Sequence, residues 1–140
     1  MSENMKNYGK VSIVMPSFNS ERFIAESIKS VQSQTYGDWE LLVVDDCSAD
    51  GTVAVVEAMA KEDQRIRVFS NEHNSGAACS RNLALRETKG DWVAFLDSDD
   101  LWEPEKLERQ LAFMRNNGCS FSYTEYETVD ENGSPLGRRY

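Results

Sequence analysis

Three carboxylates in four positions, Asp97, Asp99 and Asp100, close the hydrophobic run Trp92-Val93-Ala94-Phe95-Leu96. Oxygen donors at this density suit Mg2+ or Mn2+, ions that take one or two carboxylates and complete their shell with phosphate and water. If the chain stays extended past Leu96, its two-residue period puts Asp97 and Asp99 on one side, facing a single point. The alternative is a strand-to-loop turn whose aspartates cap the helix that follows. Three other polar clusters carry related chemistry. Pro16-Ser17-Phe18-Asn19 offers an aromatic ring that can stack on a flat base or else staple onto its own helix. A carboxylate of Asp45-Asp46 can accept the imino N–H of uracil or a guanine N–H, or hold ribose hydroxyls, while an Asx turn is the plainer reading of Asp45. Further on, Gly76 lets the backbone pass close to a ligand and Arg81 offers a fork to phosphate or carboxylate, unless it is only a solvated helix charge. His73, the only histidine, reads as loop-bracing, because no Ser or Cys nucleophile is indicated beside it. Trp92 and Trp102 read as core or rim packing, although Trp102 could line an acceptor site.

These clusters need elements to position them, and the apolar periodicity supplies a regular series. Val11–Met15, Trp39–Val44, Arg65–Phe69 and Trp92–Leu96 read as short buried strands, the first closed by Pro16. Between them, helical spacing runs from Glu21 to about Gln34 with Asn19 or Ser20 as N-cap. It recurs from Thr52 to about Lys61 on Val53, Val56, Ala58 and Met59, and from Ala77 to Arg86 with Ala78, Leu83 and Ala84 inward. Strand, helix, strand in this order demands crossover connections and hence an α/β fold with a mainly parallel, doubly wound sheet. Such sheets bind ligands beyond the carboxyl ends of their strands, which is where all four clusters fall. Pro104 suits the first turn of another helix, to about Asn116, with Leu107, Leu111 and Met114 on one face and Gly118 as terminator. Cys119–Thr124 reads as a further strand, and Asn132-Gly133 marks a hairpin-type turn in the remainder. The division is therefore a tail (1–9), a nucleotide-binding domain (10–125) and an extended or hairpin segment (126–140). The ending Arg138-Arg139-Tyr140 carries no terminator and reads as a chain cut short.

The 140 residues suffice for one domain with a core. A formal net charge of -9 without any basic run argues against nucleic acid or an anionic membrane surface as partner. An acidic protein that holds a polyanionic nucleotide needs local help from a cation, arginines or backbone donors. Cys47, Cys79 and Cys119 have neither CxxC nor Cys/His spacing and read as small buried hydrophobes in a reducing compartment. Residues 1–10 show no secretory h-region, and no apolar run reaches the length of a membrane span. The expected setting is cytoplasmic, with any association with the inner face of a membrane supplied by regions beyond this chain. Neither GxGxxG after the first strand nor GxxxxGK[ST] occurs, which disfavours a dinucleotide site and a P-loop.

In order and spacing, VSIVMPSFNS, LLVVDDCSADGT, NSGAACSRN and FLDSDD resemble the family 2 glycosyltransferases with the GT-A fold, over residues 10–125. The resemblance implies a GT-A-type, Rossmann-like sheet flanked by helices, a nucleotide-sugar donor with UDP-sugar favoured, a divalent metal, and inverting sugar transfer to a saccharide or lipid-linked acceptor in polysaccharide biosynthesis. Position by position, Asp97-Ser98-Asp99 looks like the DXD motif, with Asp99 as metal ligand and Asp97 near ribose or metal. Asp46 looks like the base-reading residue, and Arg81 matches the arginine near the diphosphate. Pro16, Ser17 and Phe18 match the loop that cups the base, although Phe18 stands where the family more often has Tyr and so lacks one polar contact. The family's general base lies on a later segment, and no residue here matches it; Glu125 and Glu127 are acidic but unmarked. A nucleotidyltransferase or a noncatalytic nucleotide-binding module remain the alternatives, the former disfavoured because PSFNSERF is not a Gly-rich, Arg/Lys-bearing triphosphate loop.

Overall fold

The computed structural model describes residues 6–140, which form two compact units meeting in sequence at Glu108 and Arg109. In the first unit, β1 (Val11–Ser17), β2 (Trp39–Asp45), β3 (Ile66–Ser70) and β4 (Trp92–Phe95) make one sheet in the order β3-β2-β1-β4. All three pairings are parallel, from Val11 opposite Trp39 through Ser17 opposite Asp45 in the central pair. β1 and β2 are almost wholly buried, which explains why they read as unbroken apolar runs and not as alternating ones.

The chain steps outward from β1 to β2 to β3, then reverses and crosses back to β4 on the far side of β1. With right-handed crossovers, that reversal places α3 (Ala77–Glu87) on the sheet face opposite α1 (Ile24–Gln32) and α2 (Thr52–Glu62). The side-chain parity agrees: Val14, Leu42 and Val44 pack with Ala84 of α3, joined by Phe69 and Leu83. The point of reversal, between the carboxyl ends of β1 and β4, is where an open sheet of this kind leaves a crevice.

Several details depart from expectation. Pro16 does not end β1, which runs on to Ser17. Val11 donates toward β2, to Asp38 O at 3.0 Å, and Ser17 O accepts from Asp46 N at 2.9 Å on the same side. Alternation therefore turns residue 16 toward β4, whose paired residues end with Phe95 opposite Val14. A missing N–H costs nothing there. Neither Asn19 nor Ser20 caps α1 with its side chain; the helix begins at Ile24, after a turn in which Phe23 and Ile24 both donate to Ser20 O. Ala58 and Ala78 are exposed. Ala58 lies two residues from buried Val56, about 200° around the helix, and on α3 the inward position belongs to Ser80. The cysteines are not buried: Cys47 and Cys79 are exposed and Cys119 half-buried, all three as free thiols.

α4 (Lys106–Asn117) follows Pro104 and ends before Gly118, which takes the left-handed conformation at φ 62°. In the second unit, β5 (Glu127–Val129) pairs antiparallel with β6 (Pro135–Arg139). Asp130 Oδ1 closes the turn by accepting from Asn132 N and Ser134 N at 2.8 and 2.9 Å. The stretch 119–124 is not a strand. Its apolar alternation has no ladder to join, since β5–β6 is the only one among the described residues of that unit, and Phe121 and Tyr123 lie exposed. Among the described residues, no helix is long and apolar enough to cross a membrane.

Candidate nucleotide-binding edge

The loops after β1 and β2 are laced into one another at the carboxyl edge. Asn19 N donates to Ser48 Oγ at 2.8 Å, and Asn19 Oδ1 accepts from Ala49 N at 2.8 Å. Ser20 N donates to Thr52 Oγ1 at 2.8 Å, and Glu21 Oε2 accepts from Gly51 N at 3.2 Å. The Asn19 side chain is thereby taken up and cannot cap α1, the Ser20 hydroxyl instead donates to Phe18 O at 3.1 Å and lies 2.7 Å from Ser98 Oγ, and Asn19 stands at a positive φ of 46°. Beside this brace Phe18 keeps 51% of its surface exposed, which leaves an aromatic ring available for stacking. Ser17 is buried and donates its hydroxyl to Asp45 Oδ1 at 3.1 Å, so its side chain shapes the loop from below. Asp45 also accepts from Ser48 N at 2.8 Å and Ser48 Oγ at 2.5 Å, which makes it the Asx-turn residue of the pair.

Asp46 has a different environment. Its Oδ1 accepts from Ser75 N at 2.7 Å and Asn71 Nδ2 at 2.9 Å, and its Oδ2 from Gly76 N at 2.8 Å. The Ser75 backbone bond, then Asn71 and Gly76, hold this carboxyl below the usual range and outweigh the opposing effect of burial. Gly76 stands at φ 87°, a conformation that favours glycine, and a side-chain carbon built there would meet open space. Asn71 is a residue of this edge that the sequence did not single out. Its amide bridges Asp46 and the buried Ser80 hydroxyl, each at 2.9 Å, across separations of 25 and 9 residues that no local pattern exposes.

On the other side of the reversal, the acidic cluster is a turn and not a continued strand: Asp100 N donates to Asp97 O at 3.1 Å. Ser98 points inward, its hydroxyl 2.7 Å from that of Ser20 and its carbonyl accepting from Ser27 Oγ at 2.9 Å. Asp97 and Asp99 remain exposed, so the fixed middle residue presents both flanking carboxylates by a different geometry from the one expected. Arg81 Nη2 reaches Asp97 Oδ1 at 3.2 Å, placing the predicted phosphate ligand beside the predicted metal ligand. Burial raises the Asp100 carboxyl, and the nearby charges of Asp99 and Asp97 raise it further. This is an electronegative turn to which a divalent cation is suited. Among the described residues, no group of three or more His, Cys, Asp or Glu is arranged to hold an ion unaided. Trp102 packs under Lys106, whose Nζ lies 4.7 Å from the ring centroid. His73 is exposed and contributes its carbonyl to Ser75 Oγ at 2.9 Å.

The chain is 49% identical over 122 residues to the Escherichia coli UDP-Glc:alpha-D-GlcNAc-diphosphoundecaprenol beta-1,3-glucosyltransferase WfgD, covering 87% of this chain and 47% of that protein. It is 40% identical over 133 residues to an uncharacterized glycosyltransferase, RC0461, of Rickettsia conorii, covering 95% of this chain and 22% of that one. The chain thus spans half or less of the length of these relatives. Among solved structures, S. aureus TarS in complex with UDP-GlcNAc superposes with a TM-score of 0.73 at 37% identity, over 78% of this chain and 32% of that one. The Pyrobaculum calidifontis mannosyltransferase PcManGT shares the fold, with a TM-score of 0.72 at 24% identity over 89% of this chain and 37% of its own. Residues 12–140 match the model of Glycosyl transferase family 2, and the chain belongs to that family.

Proposed function

We propose that the carboxyl edge of the sheet binds a nucleotide-diphosphate sugar, with a UDP-sugar as donor and Mn2+ or Mg2+ as cofactor, for inverting transfer to an acceptor hydroxyl. The observation that carries this reading is the convergence at the sheet's point of reversal. The open ring of Phe18, the ionised Asp46, and the Arg81–Asp97–Asp99 group all lie at one edge of one rigid sheet. In support, the related TarS has been solved with UDP and with UDP-GlcNAc, and WfgD is named for a UDP-Glc donor.

In this reading Phe18 stacks on the base, Asp46 accepts its imino N–H, and the Pro16–Ser17 segment fixes the loop that carries the ring. Gly76 brings backbone close to the donor, Arg81 pairs with the diphosphate, and Asp97 serves ribose or metal. Asp99 is the metal ligand, joined by Asp97. The cation, when bound, neutralises the diphosphate leaving group. Donor binding is assigned to residues 10–125; the base that takes the proton from the acceptor is assigned to no residue of this chain. A lipid-linked saccharide is the acceptor proposed, by analogy with WfgD, which would set the reaction at the cytoplasmic face of a membrane.

The test is calorimetric titration of UDP into wild type and Asp99→Ala, each with and without Mn2+. Mn2+ should strengthen UDP binding to the wild type and have little effect on the variant. Undiminished metal-dependent affinity in Asp99→Ala would reject the ligand assignment, and metal-independent binding by the wild type would reject the mechanism.

A further inference from the structure

We infer that Asn71 is a specificity-determining residue, which tunes Asp46 to a base with a single imino donor and against guanine. The inference rests on the donor-site reading and extends it. A carboxylate offers about four acceptor positions. Three of those of Asp46 are filled: both on Oδ1, by Ser75 N and Asn71 Nδ2, and one on Oδ2, by Gly76 N. One position on Oδ2 is left. The Watson–Crick edge of uracil has one N–H between two carbonyls and needs one acceptor. Guanine presents N1–H and the N2 amino group side by side, a pair that calls for both carboxylate oxygens.

Asn71 is the contact that can vary without moving the loop. Ser75 and Gly76 donate from backbone, whereas Asn71 donates from its side chain, and its own backbone N–H is separately anchored on Asp45 O at 2.9 Å. The same amide group also donates to Ser80 Oγ, which in turn donates to Gly76 O at 3.2 Å, so its orientation is fixed from the α3 side. The amide's oxygen and nitrogen are assigned by these two contacts. Asp46 as a carboxylate can only accept, so the nitrogen must face it. Removing this donor reopens Oδ1 to a ligand and gives the carboxylate the two free acceptors that guanine requires.

The experiment compares UDP and GDP affinities, with Mn2+ present, for wild type, Asn71→Ala and the near-isosteric Asn71→Leu, with thermal melting to establish that each is folded. The wild type should prefer UDP. In the folded variants the UDP-to-GDP affinity ratio should fall about tenfold, the size expected for one hydrogen bond to a charged group. A role confined to bracing the loop would weaken both nucleotides together and leave the ratio unchanged, and that result overturns the inference while the donor site stands. Loss of all nucleotide binding in both folded variants also overturns it. If the wild type bound neither nucleotide, the donor site and this inference would fall together.

Discussion

Two buried carboxylates on or beside the same strand face opposite ends of the sheet, and they are satisfied in opposite ways. Glu40, at the amino end of β2, accepts from Ser12 Oγ and Lys89 N on one oxygen, both at 2.6 Å, and from Arg67 Nη2 on the other at 3.0 Å. Arg67 carries the bond on to Glu87 O at 2.8 Å, and Gly90 N returns to Ser12 Oγ at 2.8 Å. Asp46, just past the carboxyl end of β2, also has three donors, yet none of them carries a charge. Both carboxyls titrate below their ordinary range. Glu40 has its charge paired by an arginine of its own, which makes it a brace. A carboxylate kept ionised by neutral dipoles still has charge to spend on a ligand.

The largest effect expected from breaking this contrast is at the brace. Glu40→Ala strands Arg67, Ser12 and Lys89 N and should cost about 3 kcal/mol, toward the low end for a broken buried pair because Arg67 is partly solvated. Chemical denaturation reads this directly, and UDP affinity of the folded protein should be unchanged. Gly90→Ala should cost about 2 kcal/mol by overpacking. Its new carbon would sit 2.6 Å from Ser12 Oγ and 2.7 Å from both Lys10 O and Ser12 N, and two of those three are backbone. Asp46→Ala should destabilise by only about 1–2 kcal/mol while weakening UDP binding at least tenfold, the reverse of the Glu40 pattern. Arg81→Ala should change stability by less than about 1 kcal/mol, since its pair with Asp97 is exposed, and should still lower affinity for UDP.

Acid unfolding sharpens the same comparison. Each folded carboxyl lies below its unfolded value, so its contribution is whole above the ordinary carboxylate range, near pH 4, and is lost as pH falls through the folded value. Melting temperature should hold from neutral pH to about pH 5 and fall below that, and Glu40→Gln should flatten the fall.

The sheet and its ends were readable in the sequence because β1 and β2 are buried on both faces and their apolar runs are unbroken. The positions of Phe18, Asp46, Arg81 and Asp97 follow from that strand order alone. The two carboxylate networks were not readable: Glu40 meets partners 27 to 49 residues away, and Asp46 meets partners 25 to 30 away. Asn19 and Ser20 look like cap residues locally, but the Asn19 side chain is claimed by the loop after β2 and the Ser20 hydroxyl by Phe18 O and Ser98 Oγ. Cys47 and Cys79 were expected inside on residue type, yet they stand on the open edge, Cys47 in the left-handed conformation at φ 60° beside Asp46. Cys119–Thr124 has the pattern of a strand without a neighbour to make it one.

Amide hydrogen exchange with and without UDP and Mn2+ tests the division between the two ends most directly. Protection should rise at 17–20, 46–48, 71–76 and 97–100 and stay unchanged at 38–41 and 87–92. Protection at the amino end, or none at the loops after β1, β3 and β4, would contradict the assignment of the carboxyl edge as the donor site.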